Sequence, residues 1–284
     1  MKKNLLLFLL LLPVLFLSCK KDNSQANVTV NVVNIDAIDA DKATPSSVAD
    51  VKSITVVFFK HSDHSIQWQS VQRRQDFADS VALANNFGTF NVQLPVGAYD
   101  LVVLGYGDTI PATVSSFTSI QMANSRMTFL ALQTVNISNA SHGTINVELS
   151  RISTQLRFVT TDTVPSGVNT VRITLSGGGK DLNPSTGLAN TNTGIVSNVT
   201  GFPGRVGQRP QIYCNTLLCA DEQTMDVVVE VLDANGQVLI AHNLTDVPFK
   251  RNRRTVLTGT LYHHTPGTGI TVNTDWLTDY NGTF

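Results

Sequence analysis

Apolar and polar residues alternate along almost the whole chain with a period of two, which is typical of half-buried β-strands. Val28, Val30 and Val32 open this pattern, with polar residues between them. Residues 54–59 are apolar at nearly every position, which predicts a strand that is buried on both faces and central in its sheet. The same pattern predicts further strands at residues 90–94, 99–103, 145–149, 156–158, 171–175, 227–232, 238–240, 256–262 and 270–276. It therefore indicates an all-β fold.

Short loops between these strands predict how some of them pair. Pro95-Val96-Gly97 lies between two predicted strands and indicates a hairpin with a short loop. Asp233-Ala234-Asn235-Gly236 indicates a second hairpin, because Asn-Gly provides the positive φ angles of a tight turn. Helical periodicity is confined to residues 76–85, whose length suits a connecting helix. Residues 177–207 are rich in Gly, Asn, Thr and Ser and predict long exposed loops, beginning with a flexible turn at the glycines.

The N-terminus has the pattern of a secretory signal. Two lysines precede the apolar run of residues 5–17, and this run is shorter than the ~20 residues of a membrane-spanning helix. Ser18-Cys19 at its end resembles the lipobox of bacterial lipoproteins, which implies cleavage before Cys19 and lipid on its sulfur. Several acyl chains would hold such a protein on the outer membrane, where a single chain binds only marginally. The alternative is an ordinary secretory signal in which the cysteine has no role.

The residues directly after the cysteine resemble an export signal. Lys20-Lys21-Asp22 resembles the lysine-plus-acid signal that sends Bacteroidetes lipoproteins to the cell surface, although one acid is present rather than two. The resemblance therefore favours the outer face of the outer membrane over the periplasmic leaflet.

Composition limits the classes of partner. The formal net charge is −1 and only 14% of residues are charged, which provides no electrostatic footprint for nucleic acid. The predicted strands divide near residue 150 into two blocks of ordinary domain size. We therefore predict a signal peptide at residues 1–18, a tether at 19–26, and two tandem β-sandwich domains at 27–150 and 151–284.

Cys214 and Cys219 remain as an even pair in an exported protein, which favours a disulfide in an oxidising compartment. Such a short loop constrains the unfolded chain little, so the expected bridge is a local clasp. Two free thiols are the alternative. A metal site is the least favoured of the three, because no second pair of ligands lies nearby in the sequence.

Several stretches together resemble the fimbrillin superfamily of Bacteroidetes. Residues 94–101, Leu-Pro-Val-Gly-Ala-Tyr-Asp-Leu, look like the hairpin of the first domain of these proteins. Residues 149–158 look like the strand that opens their second domain, and residues 248–261 like their penultimate strand. Residues 270–276 fit their last strand with its late tryptophan. The resemblance covers nearly the whole chain after the signal.

This resemblance implies two transthyretin-like β-sandwich domains and a role in fimbriae, with other subunits as partners by strand addition. In shaft subunits of the family, an arginine-specific protease removes the first strand. Here no arginine lies between Cys19 and Arg73, which favours an uncleaved anchor or accessory subunit. A glycan-binding surface lipoprotein is the first alternative and a cleaved shaft subunit is the second.

Other candidate chemistry is weak. His61 and His64 flank an aspartate and suggest a metal, but no third ligand is indicated and a solvated loop is the simpler interpretation. Arg251, Arg253 and Arg254 fit either an acidic partner or a solvated strand end. No catalytic or nucleotide-binding pattern is present, so we expect no enzyme activity and no cofactor or metal.

Overall fold

The computed structural model describes residues 25–36, 51–77, 80–138, 143–263 and 271–273, and strands dominate these ranges. They contain one α-helix, α1 at Ser80–Asn86, and 3₁₀ turns at Arg74–Asp76 and Phe202–Arg205. The strands are β1 Gln25–Asp36, β2 Ser53–Lys60, β3 Ile66–Arg73, β4 Thr89–Pro95, β5 Gly97–Tyr106, β6 Thr113–Ser116, β7 Ser119–Gln121, β8 Thr128–Ile137, β9 Gly143–Arg151, β10 Thr154–Thr160, β11 Thr170–Leu175, β12 Asp181–Asn183, β13 Leu188–Ala189, β14 Ile195–Val199, β15 Ile212–Thr216, β16 Glu222–Leu232, β17 Val238–Lys250, β18 Arg254–Gly259 and β19 Thr271–Asn273. The all-β fold expected from the sequence is confirmed.

Seven strands of the first half form one sheet, in the order β3-β2-β5-β8-β9-β1-β4. Among the described residues, two pairs join β8 to β9, Phe129 with Arg151 and Leu130 with Ser150. On either side of this narrow join the sheet forms two layers, and apolar side chains of β1, β4 and β9 pack against those of β2, β5 and β8. Burial of each Val, Leu, Ile or Phe in such a core stabilises the fold by ~1.5–3 kcal/mol.

The second half repeats this strand order. The row β15-β10-β18 corresponds to β4-β1-β9, and the row β14-β11-β16-β17 corresponds to β3-β2-β5-β8. In both halves the opening strand has one antiparallel and one parallel neighbour: β4 and β9 for β1, and β15 and β18 for β10. This half has its own apolar core, and β19 pairs antiparallel with β18. The repeat supports the proposal of domains at residues 27–150 and 151–284.

A third apolar core joins the two halves. The short strands β6 and β7 of the first half share a four-stranded sheet with β12 and β13 of the second half. Ile120 and Leu182 of this sheet pack with Val57 and Phe59, which face away from the first core. β2 is thus buried on both faces and lies between β3 and β5, as its apolar sequence predicts.

The connection at Pro95-Val96-Gly97 corrects one prediction. β4 and β5 do follow each other along the chain, but they do not form a hairpin: β4 pairs with β1, whereas β5 pairs with β2 and β8. The connection instead crosses from one layer of the first half to the other. The alternation of β4 is satisfied equally well in either arrangement, so the sequence pattern alone does not distinguish them.

The second predicted hairpin is confirmed, with a longer loop than expected. β16 and β17 pair antiparallel, and the last pair is Leu232 with Val238. Gly236 has a φ of 78°, while the carboxylate of Asp233 accepts hydrogen bonds from the backbone N–H groups of Asn235 and Gln237 at 2.8 Å each. The aspartate therefore organises a five-residue loop in place of a tight Asn-Gly turn.

The glycine-rich segment is also different from the prediction. Gly177, Gly178 and Gly179 are buried, and the region contains the strands β12, β13 and β14. A Cβ on Gly179 would lie 2.2 Å from the carbonyl oxygen of Thr191. Asn192 accepts a hydrogen bond from the Gly178 N–H at 2.7 Å. The glycines therefore allow close packing of backbones, and the prediction of a flexible exposed turn is wrong.

Candidate assembly site at the first strand

The first strand, β1, lies inside a sheet and not at its margin. Val30 is paired antiparallel with Phe90 of β4 and parallel with Ile145 of β9. A strand between two neighbours uses its backbone N–H and C=O groups on both sides. Without β1, the facing edges of β4 and β9 would both be left unpaired, and such open edges accept strands from other chains.

The core face of β1 is also filled. Ala26, Val28 and Val30 are buried, and Val30 has no exposed surface. They belong to the core that contains Phe90 and Val147 of the neighbouring strands. Removal of β1 would therefore expose this core as well as the two edges, since each buried valine contributes at least ~1.5 kcal/mol.

The nearest arginines lie at the end of β3, where Arg73 is exposed and Arg74 is half-buried. Arg73 ends β3 and is paired with Ser53 of β2. Arg74 donates its Nε–H to the carbonyl oxygen of Val51 at 3.0 Å. A cut at this pair would separate three strands from the rest of the first sheet, because β1, β2 and β3 all precede it.

The predicted lipidation site, Cys19, lies outside the described residues. The other predicted pair does not form a disulfide: Cys214 and Cys219 are both free thiols. Cys214 is buried in the core of the second half, whereas Cys219 packs against the core between the halves. The two thiols thus face different cores, and burial raises the pKa of the Cys214 thiol to about 12.

The two histidines share a partner that the sequence analysis missed. Asp100 of β5 lies between His61 Nδ1 at 2.9 Å and His64 Nε2 at 3.3 Å, and it accepts a hydrogen bond from Thr134 Oγ1 at 2.8 Å. The Asp100 side chain is only 6% exposed, while both imidazoles are about half exposed. The His64 ring also stacks on Phe117 at 4.0 Å. The sequence did contain a signal for this cluster, because Asp100 is a carboxylate inside the otherwise largely apolar strand β5.

This cluster closes the end of the core between the halves, since Phe117 packs against that core. Residues 61–65 are all exposed, as the solvated-loop interpretation predicts, but both imidazoles also contact Asp100. Although His61, His64 and Asp100 lie together, no group of His, Cys, Asp or Glu side chains among the residues that the structure describes has an arrangement that could hold a metal ion. In the same ranges, no helix is long and apolar enough to cross a bilayer.

The basic residues near the β17–β18 turn contact other segments of the second half. Arg251 pairs with Asp221 at 2.9 Å and donates a hydrogen bond to the carbonyl oxygen of Thr186. Arg254 donates its Nε–H to Gln155 at 2.7 Å. These contacts are internal to the protein, so the cluster is not simply a solvated strand end.

Comparison with sequence families identifies the chain at the family level. The model of DUF6562, a family of unknown function, matches residues 21–283. The chain belongs to this family. No curated protein matches its sequence.

Solved structures are similar to this DUF6562 protein at low sequence identity. A candidate polysaccharide-binding protein from Bacteroides thetaiotaomicron has a TM-score of 0.52 and 14% identity over 87% of this chain and 96% of that one. A candidate adhesin from Bacteroides ovatus has a TM-score of 0.50 and 14% identity over 90% and 97%. The fimbrial anchor protein Mfa2 from Porphyromonas gingivalis has a TM-score of 0.42 and 13% identity over 87% and 95%.

Proposed function

We propose that this protein is a non-catalytic surface lipoprotein that serves as an anchor or accessory subunit of a fimbria. The observation that carries the proposal is the position of β1, which is paired on both sides and buried on its core face. A shaft subunit must give up its first strand to accept a strand from the next subunit. A subunit that keeps β1 has no vacant groove in its N-terminal half, so it cannot accept a strand from another subunit there.

The sequence supports the same role. Cys19 at the end of the signal-like segment provides a lipid anchor, and no arginine between it and Arg73 offers a cut that would release β1 alone. The described fold, shared with a candidate adhesin from Bacteroides ovatus, is consistent with a cell-surface protein. Other fimbrial subunits are the proposed partners, and they would bind at edges that β1 does not occupy.

The N-terminus of the mature protein tests the proposal. Mass spectrometry of protein taken from the surface of the cells that make it should find an acylated Cys19 as the first residue, with β1 present. A dominant species that starts near Lys42 or Val51, found in long polymers, would instead indicate a cleaved shaft subunit.

The anchor itself has a separate test. In the Cys19→Ala variant the protein should leave the membrane fraction or fail to mature, because the acyl chains that hold it are absent. Cys219→Ala is the matched control and should remain in the membrane fraction. Unchanged membrane retention of Cys19→Ala would contradict the lipoprotein assignment.

A further inference from the structure

We propose that the outer face of strands β4, β1 and β9 binds a neutral glycan chain. The amide face, as we name it, consists of Asn27, Thr29, Asn91, Gln93, Thr144 and Asn146. All six side chains point away from the core, because they alternate with buried or half-buried apolar residues along their strands. This site adds a ligand to the assembly role proposed above, and it rests on that role in one respect, because both need β1 to be retained in the mature protein.

The pairing of the strands arranges these side chains in rows. Thr29 lies opposite Asn91 on one side and Thr144 on the other, and Asn27 lies opposite Gln93. Neighbouring strands are ~4.8 Å apart and residues two apart along a strand are ~6.8 Å apart, so the face is a regular grid of polar groups. Such a grid suits a ligand that offers hydroxyl groups at several positions along an extended chain.

Most of the polar groups on this face are available to a ligand. Thr29 Oγ1 donates a hydrogen bond to Asn91 Oδ1 at 3.2 Å. Within the described part of the chain, the side chains of Asn27, Gln93 and Asn146 make no hydrogen bond to other protein groups. Each amide has two N–H donors and a carbonyl acceptor, so it can both donate to and accept from a sugar hydroxyl.

A shallow groove lies across the β1–β4 side of the face. Its volume is about 390 Å³, and it is lined by Asn27, Thr29, Asn91 and Gln93 together with Val28 and Val92. Ligand sites in proteins commonly have volumes of ~300–1,000 Å³. The groove therefore has room for part of an oligosaccharide, with the amides at its rim.

The absence of charge on the face selects a neutral ligand. The nearest charged residue on these described strands is Glu148, which is exposed at the next outward position of β9, beside Asn146, and whose carboxylate would repel an anionic ligand. An edge strand such as β4 is usually protected by lysine or another charge, because an uncharged edge is open to unwanted pairing. Here the outward positions of β4 carry Asn91 and Gln93 instead. An anionic glycan would find no exposed cation on these described strands.

The second half of the protein provides an internal comparison. The equivalent strands β15, β10 and β18 carry Tyr213, Arg157 and Arg254 at outward positions. The neutral face is therefore a property of the first half and not a consequence of the repeated topology. It also requires β1 in place, since that strand supplies Asn27 and Thr29.

Titration of the purified full-length protein with maltohexaose, xylohexaose and mannohexaose tests the site by calorimetry. We expect saturable binding of at least one of these neutral hexasaccharides and much weaker binding of hexagalacturonate, which is anionic. In the Asn91→Ala/Gln93→Ala variant, the affinity should fall by at least about fivefold, because two amide contacts are lost.

The matched control is Asn198→Ala/Asn243→Ala, which removes two exposed amides from β14 and β17 on the other half. It should bind like the wild type. If the double variant of β4 unfolds, Asn27→Ala provides the same test from β1. No binding of any neutral hexasaccharide, preferential binding of hexagalacturonate, or full binding by folded variants of the face would each overturn the proposal. None of these results bears on the mature N-terminus, so the anchor proposal is tested separately.

Discussion

Arg151 donates its Nε–H to the side-chain oxygen of Asn252 at 2.9 Å, and this contact joins the last strand of the first half to the β17–β18 turn of the second. A second N–H of Arg151 is donated to the backbone oxygen of Asn252 at 3.3 Å. Arg151 is only 4% exposed, and Asn252 has a φ of 56°. The turn is therefore held by a buried cation and by a residue type that tolerates the left-handed region.

Asn252 should consequently be sensitive to substitution. Asn252→Gly removes the side-chain acceptor and should cost about 2 kcal/mol of unfolding free energy, because hydrogen bonds to charged groups are the stronger ones. Asn252→Ala should cost about 1 kcal/mol more, since alanine is strained at positive φ. Urea denaturation of both variants checks the order. The exposed Asn243→Ala is the control, and a Gly variant as stable as the wild type would contradict the role of this contact.

The carboxylate of Asp100 should make stability depend on acid pH. Burial alone would raise its pKa, but hydrogen bonds from His61 and Thr134 and the nearby His64 hold the pKa below its usual value. Its contribution should be present above the unfolded pKa of ~3.9 and lost as the pH falls through the lower folded pKa.

Asp100→Asn tests this dependence. At pH 7 it should reduce the unfolding free energy by about 1–3 kcal/mol, because an amide replaces the acceptor that three groups share. The difference from the wild type should shrink in denaturation experiments at acid pH. The control Asp233→Asn, in the exposed β16–β17 loop, should not show this pH-dependent loss of unfolding free energy. If the loss in Asp100→Asn is the same at every pH, ionisation of Asp100 does not contribute to stability.

The buried glycines predict a sharp difference between positions. Gly179→Ala places a Cβ 2.2 Å from the Thr191 carbonyl oxygen and should destabilise the fold by at least about 2 kcal/mol, since backbone must move to admit it. Gly204→Ala is the matched control, because no atom lies within 4 Å of its added Cβ. Thermal denaturation of the two variants should separate them clearly. Equal melting temperatures would show that the backbone around Gly179 can move to admit a Cβ at little cost in stability, which would contradict the prediction.

The number of free thiols in the mature protein tests both the state of Cys214 and Cys219 and the acylation of Cys19. Purified mature protein, unfolded without reductant, should titrate as two thiols, Cys214 and Cys219, with Cys19 blocked by acylation. In the folded state Cys219 should react with an alkylating reagent before Cys214, because burial raises the pKa of Cys214 to about 12. If neither thiol titrates until reductant is added, the two cysteines form the disulfide that the sequence predicts. A third thiol would argue against acylation of Cys19.

The sequence by itself determined the elements of this protein that depend on neighbours along the chain. Period-two alternation gives the strand class, and the doubly apolar run of β2 gives a strand buried on both faces. It also gives the β16–β17 hairpin, since a loop that short leaves antiparallel pairing as the simple solution.

Tertiary structure decided which strands pair and which distant groups meet. The alternation of β4 is compatible with a partner in either layer, so the local pattern does not show its pairing with β1, whose paired residues are 58 to 70 positions apart. The same holds for Asp100 between His61 and His64, and for Arg151 with Asn252, which is 101 positions away.

Gly179 looked flexible because the sequence does not show what will lie against it. Cys214 and Cys219, five positions apart in sequence, separate because the backbone directs them to different cores. Local periodicity records which side of a strand meets solvent, whereas long-range packing is a property of the whole folded chain.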